Sequence, residues 1–179
     1  MIGYRENKNY IAVNIKASLV NYVDYNIWVT TQLVDWLWEQ SDEMLYEECR
    51  SSFTSIARTL KHISDTQLYW SSMIRESPTP NFDYNPMEVD VRSEMDKLLN
   101  EAKLLADYVK DNGDDMCKRY LIDSEWFSSN FPKYEYLFHL ILHTTYHRGQ
   151  IVTIAHNVGI PNPPMLDYNF WNVLHRQTK

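Results

Sequence analysis

The sequence predicts an all-α fold, a bundle of four long helices with a long crossover between the second and third helices. Only four glycines occur among the 179 residues, whereas an all-β chain would need turn residues about every 8–12 positions. Apolar residues recur at helical spacing in four long segments. Three of the seven prolines fall within residues 76–90 and interrupt this periodicity. Residues 1–179 are expected to form a single domain, because a chain of this length can bury most of its apolar surface.

The first predicted helix covers Lys16–Gln40, where apolar residues return every three or four positions. Its tryptophans are interpreted as core and interface residues, since aromatic side chains dominate burial where they occur. Met1–Ile15 has a mixed pattern and is expected to be a loose arm. Ser41 and Asp42 end the helical run, and Leu45–Arg50 is expected to be a connector.

The second and third predicted helices flank the proline-rich segment. The second is expected to begin at a cap, Ser51, and to run to about Arg75. A connection as long as Glu76–Asp90 can cross the end of a bundle and join two parallel helices, whereas short loops make neighbouring helices antiparallel. Asp90 is expected to cap the third helix, which Gly113 ends.

The segment Asp114–Asn130 is irregular in pattern, acidic and aromatic. Trp126 and Phe127 are expected to fold over one end of the bundle. There they would contribute to the wall of a pocket.

The fourth predicted helix runs from Pro132 to Val158 and is closed by Gly159 and Pro161. Gly149 lies inside it and costs about 0.5–1 kcal/mol relative to alanine, which indicates that another group approaches closely there. The tail, Ile160–Lys179, is expected to pack along the bundle or against a second subunit.

Composition excludes several classes of function. A net charge of −7 and a pI near 5.3 argue against nucleic-acid binding, which needs clustered basic residues. Cys49 and Cys117 form no CxxC pair, so they indicate free thiols in a reducing compartment. No signal peptide and no run of 18 apolar residues is visible, so no membrane contact is expected. The predicted location is the cytoplasm.

Half of the six histidines lie in one stretch of the fourth predicted helix, FHLILHTTYHRGQ. His139, His143 and His147 follow at intervals of four, which puts them on one helix face about one turn apart. Two imidazoles at this spacing can bind one metal ion, as in H-E-x-x-H, although the glutamate of that motif is absent. A lone pair often has only a structural role, so a third ligand is needed. The candidate is His62, and the spacing leaves open which two late histidines join it.

The motifs resemble those of the DinB/YfiT-like family over about Ala17–Tyr168. The resemblance lies in the T-L-x-H-I context of His62, the aromatic pair after it, and the late H-x-x-x-H-R-G-Q. It implies a four-helix bundle in which His62, His143 and His147 bind a divalent metal, with His139 one turn away. It also implies activation of low-molecular-weight thiols.

Three neutral imidazoles leave one or more positions open on Zn²⁺, Ni²⁺, Fe²⁺ or Mn²⁺, as in catalytic metal sites. Water in such a position can have its pKa lowered towards about 7, and a thiolate can take the same position. We therefore predict a divalent-metal-dependent hydrolase or thiol S-transferase that acts on a small molecule. The residues expected to lie next to the ligands and support them, without binding the metal themselves, are His139, Asp65, Arg148 and Gln150.

The roles of these neighbouring residues stay open at this point. Asp65 can orient a ligand imidazole or face solvent as an ordinary helix charge. Arg148 can bind an anionic substrate or pair with a carboxylate of the third helix. Gln67 stands where relatives commonly carry glutamate, so no role is expected for a carboxylate there.

The rival prediction is a non-catalytic helical bundle, a binding or stress-response protein whose metal only ties the second helix to the fourth. A third possibility is that the histidines bind nothing. A homodimer is expected in either case, from the surplus of aromatic residues and from the resemblance. Di-iron, serine hydrolase, P-loop and dinucleotide-binding motifs are absent from the sequence.

Overall fold

The computed structural model describes residues 14–79, 81 and 88–176. Within these residues it contains six α-helices, one 3₁₀ turn and one antiparallel hairpin. In chain order the elements are α1 (Ile15–Trp38), α2 (Asp42–Tyr46), α3 (Ile56–Arg75), α4 (Val91–Asp111), the 3₁₀ turn (Asp115–Cys117), β1 (Arg119–Asp123), β2 (Ser128–Pro132), α5 (Lys133–Asn157) and α6 (Tyr168–Arg176). The predicted all-α fold is confirmed, and α1, α3, α4 and α5 are its four long helices.

Helices α3 and α4 are parallel. Gln67 Nε2 donates to the carbonyl oxygen of Leu98 at 2.9 Å, and one turn later Ser71 Oγ donates to Glu101 Oε1 at 2.9 Å. The contacts therefore advance in the same direction along both helices, as a crossover between them requires. Residues 80 and 82–87 of the predicted crossover lie outside the described residues.

Helix α1 runs antiparallel to α4. Near its start Lys16 pairs with Asp114, just beyond the end of α4, at 3.6 Å. Further along α1, Asp24 pairs with Lys110 at 2.7 Å. The contacts therefore run in opposite directions along the two helices.

Two clusters of buried side chains fill the bundle. The first includes Leu33, Leu37, Leu45, Leu60, Ile63, Met95, Leu98, Ile151 and Ile154. The second includes Leu19, Val23, Val29, Ile74, Leu105, Val109, Leu137 and Leu140. Each cluster draws on all four long helices, so both clusters hold the same four helices together.

Two element boundaries early in the chain differ from the prediction. Ser55, and not Ser51, caps α3, because its Oγ accepts the backbone N–H of Arg58 at 3.2 Å. The predicted connector begins inside a helix, since Leu45 belongs to α2 and is fully buried. Burial of Leu45 favours this short helix. Apolar periodicity could not predict it, because five residues make less than two helical turns.

The segment predicted to be irregular contains the β1–β2 hairpin, whose five residue pairs run from Arg119 opposite Pro132 to Asp123 opposite Ser128. Tyr136 of α5 hydrogen-bonds to both strands of the hairpin. Tyr136 Oη donates to the carbonyl oxygen of Tyr120 at 2.9 Å and accepts the backbone N–H of Phe131 at 3.1 Å. Tertiary contact with α5 thus supplies the support that a two-stranded hairpin lacks alone.

Helix α5 begins at Lys133, with Pro132 as its cap and not as its first helical residue. The predicted close approach at Gly149 is wrong, since a Cβ built there meets no heavy atom within 4 Å apart from its chain neighbours and the nearby backbone of its own helix. The tail forms an unpredicted helix, α6, and packs along the bundle as expected. Asn21 of α1 donates to Tyr168 Oη at 2.7 Å and accepts the indole N–H of Trp171 at 3.1 Å. Among the described helices, none is both long and apolar enough to span a membrane.

Candidate metal centre

Three imidazoles from two antiparallel helices converge on one point. The spacing of four puts His143 and His147 on one face of α5, and the packing of α3 brings His62 opposite them. His62 Nε2 lies 3.2 Å from His143 Nε2 and 3.1 Å from His147 Nε2. The Nε2 atoms of His143 and His147 lie 3.1 Å apart.

Hydrogen bonds alone cannot satisfy these three nitrogen atoms. In a neutral imidazole Nε2 is either a donor or an acceptor, and never both. Among three such atoms in mutual contact at least two have the same role, so at least one contact is donor to donor or acceptor to acceptor. A cation that accepts all three lone pairs removes this conflict. The donor set therefore fits a divalent metal ion.

The spacing of the nitrogen atoms also fits a metal ion. A point about 1 Å from the plane of the three atoms lies about 2.0–2.1 Å from each, the distance at which Zn²⁺ binds imidazole nitrogen. Seen from that point, neighbouring nitrogens subtend about 100°, between the octahedral and tetrahedral angles. The three rings occupy one side of the point, which leaves the other side for a further ligand.

Burial keeps these imidazoles neutral. It lowers the pKa of His62 to about 4, and repulsion from His147 adds to the effect. The pKa of His143 also falls to about 4, through burial first and then through its histidine neighbours. Burial lowers the pKa of His147 as well, and the hydrogen bond that His147 donates to Gln150 Oε1 opposes this effect. Neutral imidazole is the form that binds metals.

Gln150 fixes the orientation of one imidazole. Its Oε1 lies 2.7 Å from His147 Nδ1, and its Nε2 donates to Ser52 Oγ at 3.5 Å. An oxygen acceptor at this place keeps the proton of His147 on Nδ1 and directs the Nε2 lone pair towards the other two histidines. Of the expected neighbours, Gln150 is the one that hydrogen-bonds to a member of the triad. His143 Nδ1, in contrast, is buried and has no partner among the described residues.

Phe53, in the loop before α3, covers the histidines from one side. Its ring stacks on that of His62 with 4.2 Å between centroids, and its edge contacts His147 at 5.6 Å. Phe53 is not among the site residues predicted from the sequence. No local pattern could have indicated it, because its position depends on how an irregular loop returns over the bundle.

The remaining predicted neighbours lie further from the triad. His139 is one turn from His143, with 6.0 Å between ring centroids, and its ring contacts Trp70. Asp65 pairs with Lys61 on the same helix and is partly buried. It is therefore not an ordinary solvent-facing charge, and no hydrogen bond to an imidazole is seen among its described contacts. Burial raises the pKa of its carboxyl group.

Arg148 takes neither of its two predicted partners. It is almost fully buried, and its guanidinium donates to Asn26 Oδ1 at 2.9 Å and to Thr144 Oγ1 at 2.7 Å. The guanidinium also lies 6.0 Å from the ring of Tyr25. Burial lowers the pKa of Arg148 to about 10, which still leaves it charged at neutral pH. Its described contacts with Asn26 and Tyr25 join α5 to α1.

A cavity of about 640 Å³ lies beside the triad. One wall is the face of α3 from Arg58 to Trp70, which includes His62, and another is formed by Trp126 and Phe127 of the hairpin loop. Its volume is in the range of small-molecule sites. The expected contribution of both aromatic residues to a pocket wall is therefore seen.

Two comparisons with known proteins found similarity over most of the chain. The model of the DinB family matches residues 7–177. Protein DinB of Bacillus subtilis (strain 168) is 25% identical over 168 residues, which cover 87% of this chain and 94% of that protein.

Proposed function

The chain belongs to the DinB family, and on that premise we propose that it is a divalent-metal-dependent enzyme acting on a small molecule. The observation that carries the proposal is the contact of three Nε2 atoms, those of His62, His143 and His147, at 3.1–3.2 Å. We assign these three residues as the metal ligands. The ion is Zn²⁺, Ni²⁺, Fe²⁺ or Mn²⁺, all of which accept imidazole ligands.

The reaction class that we propose is hydrolysis or thiol S-transfer. A divalent ion in this position would supply Lewis-acid chemistry to a water or thiol reactant. The chain supplies the surroundings. Phe53 stacks on His62, and both residues line the cavity of about 640 Å³, which gives a small molecule access to His62. Access of this kind favours a catalytic role over a purely structural one.

Metal content tests the ligand assignment. The full-length protein, purified without an affinity tag, is analysed for metals as wild type, as His143→Ala and as His156→Ala. His156 is an exposed histidine on the same helix and serves as the matched control. We expect bound metal to fall sharply in His143→Ala only. Unchanged stoichiometry in His143→Ala would remove the proposal.

Activity is tested on protein reconstituted with each of the four metals. A screen of low-molecular-weight thiols with electrophilic acceptors, and of small esters and amides, separates S-transfer from hydrolysis. We expect turnover to require the metal and to disappear in His143→Ala.

The rival function, a metal that only stabilises the bundle, is favoured by the origin of the ligands on two different helices, α3 and α5. A chelator separates the two functions. If metal removal lowers the melting temperature while no reconstituted form turns over any substrate, the structural role is supported.

We further propose that the protein is a homodimer. Large apolar side chains on the outside of α5 and α6 support this, with Leu142 67%, Tyr146 63% and Leu174 55% exposed. Exposed apolar residues at neighbouring positions often mark an interface between subunits.

A further inference from the structure

The cavity beside the triad is elongated along α3. Arg58, His62, Thr66 and Trp70 lie four residues apart on the face that lines it. At 1.5 Å per residue, Trp70 is about 12 Å along the helix axis from His62, and Arg58 is about 6 Å in the other direction. A ligand in this cavity can therefore extend well beyond the metal centre.

The far end of the cavity is aromatic. Trp70 stacks on Phe127 with 5.8 Å between ring centroids and 19° between planes, and it also stacks on Tyr136 at 5.7 Å. These contacts hold Trp70 and Phe127 in place before any ligand arrives. Trp126, the residue before Phe127 in the hairpin loop, lines the same cavity and is 68% exposed. An exposed indole beside an aromatic wall gains contact area when a flat ligand binds.

The stretch between the two ends carries no net charge. Lys61 and Asp65 both line it, and their side chains pair with each other. A charged group on a ligand would have to compete with this pair, whereas an uncharged chain would not.

We propose that the cavity binds an elongated small molecule with an aromatic ring at one end, an uncharged spacer, and the reacting group at the other end beside His62. Trp126 and Phe127 contact the ring, about 12 Å from the reacting group, and determine specificity for it. This inference rests on the proposed metal-dependent function, because the triad fixes the position of the reacting end.

The neighbouring cavity provides a control. It has about 600 Å³ and shares Trp70 and Phe127, but Phe131 lines it and His62 does not. Phe131 is 51% exposed on the same hairpin. Phe131→Ala therefore removes a comparable exposed aromatic side chain without touching the cavity beside the triad.

The test uses hydroxamates, which bind an open metal position, as probes of the zinc-loaded full-length protein in isothermal titration calorimetry. Acetohydroxamate reports the metal alone, and phenylacetohydroxamate adds a ring on a short spacer. 6-Phenylhexanohydroxamate places the ring near Trp126, and octanohydroxamate has a chain of similar length without a ring. Circular dichroism verifies that each variant is folded.

We expect 6-phenylhexanohydroxamate to bind about tenfold more tightly than the other three probes, since a stacked ring contributes about that factor. Trp126→Ala and Phe127→Ala should each reduce this gain, and Phe131→Ala should preserve it. Equal gain from octanohydroxamate or phenylacetohydroxamate, or full gain in Trp126→Ala, would overturn the inference. If acetohydroxamate fails to bind protein that retains zinc, the proposed function is contradicted, and the inference falls with it.

Discussion

Substitution of Gln150 tests directly whether a hydrogen bond to His147 Nδ1 raises the affinity of the three histidines for a metal ion. Its Oε1 lies 2.7 Å from His147 Nδ1, a distance at which the ring nitrogen must donate its proton. That proton is then absent from Nε2, whose lone pair is free to bind a metal. Gln150→Ala removes the acceptor and leaves all three proposed ligands in place.

The expected magnitude follows from this single contact. A hydrogen bond of this kind contributes about 0.5–1.5 kcal/mol net, and loss of the outer partner of a ligating histidine costs about 10–100-fold in metal affinity. Gln150 is only partly buried, so water can replace its oxygen in part and the lower end applies. We expect Gln150→Ala to weaken Zn²⁺ binding about tenfold, or about 1.4 kcal/mol. Gln150→Glu should strengthen binding, because a carboxylate is the better acceptor.

Competition with a chromophoric zinc chelator at neutral pH measures these affinities directly. Thr153→Ala is the matched control, since Thr153 is exposed about one turn further along α5 and its described hydrogen bond is to Gly149 of the same helix. An affinity for Gln150→Ala within twofold of wild type would refute the reasoning. An equal loss in Thr153→Ala would show that the effect belongs to the helix and not to His147.

Three further predictions concern stability and assembly. Asp115 pairs with the fully buried Lys133, and hydrogen bonds from that amine hold the pKa of the Asp115 carboxyl group well below its ordinary value of 3.8. Asp115→Asn should therefore lower the free energy of unfolding by about 1–3 kcal/mol at pH 7. Urea titrations should show the difference between variant and wild type shrinking as the pH falls below 3.8, because protonation of Asp115 removes the same stabilisation from the wild type. A difference that does not change with pH would contradict this prediction. Gly149→Ala should raise the free energy of unfolding by about 0.5–1 kcal/mol, because the new methyl group meets nothing within 4 Å apart from its chain neighbours and the nearby backbone of its own helix. Thermal unfolding measures this change, and destabilisation would count against it. In sedimentation equilibrium the protein should have twice the mass of its 21.4 kDa chain and Leu142→Glu should yield monomers, whereas a monomeric wild type would contradict the dimer.

The sequence predicted the long helices well because their signals are local. Apolar periodicity defined α1 and α4, and Asp90 caps α4 as expected, its Oδ1 accepting the backbone N–H of Ser93 at 3.0 Å. Elements that depend on distant residues were missed. The hairpin needs Tyr136 of α5, and α6 needs Asn21 of α1.

The same distinction applies to the candidate site. The helical spacing of His143 and His147 was enough to place their rings together, because one turn of helix separates them. His62 meets these two residues because α3 and α5 pack antiparallel. Local periodicity does not contain this information, so the choice of His62, His143 and His147 together came from the family resemblance. Phe53 and the support from Gln150 depend on loop path and side-chain rotamer. Neither leaves a trace in the periodicity of the sequence.

The separation of 81 residues between His62 and His143 has a consequence for biosynthesis. A nascent chain that has emerged only as far as α3 offers a passing ion one of the three nitrogen atoms. The other two leave the ribosome nearly half a chain later, and they meet the first only after α5 has docked. Under the proposed ligand assignment, uptake of the ion would therefore be a late event in maturation, because all three nitrogen atoms come together only when α3 and α5 have packed.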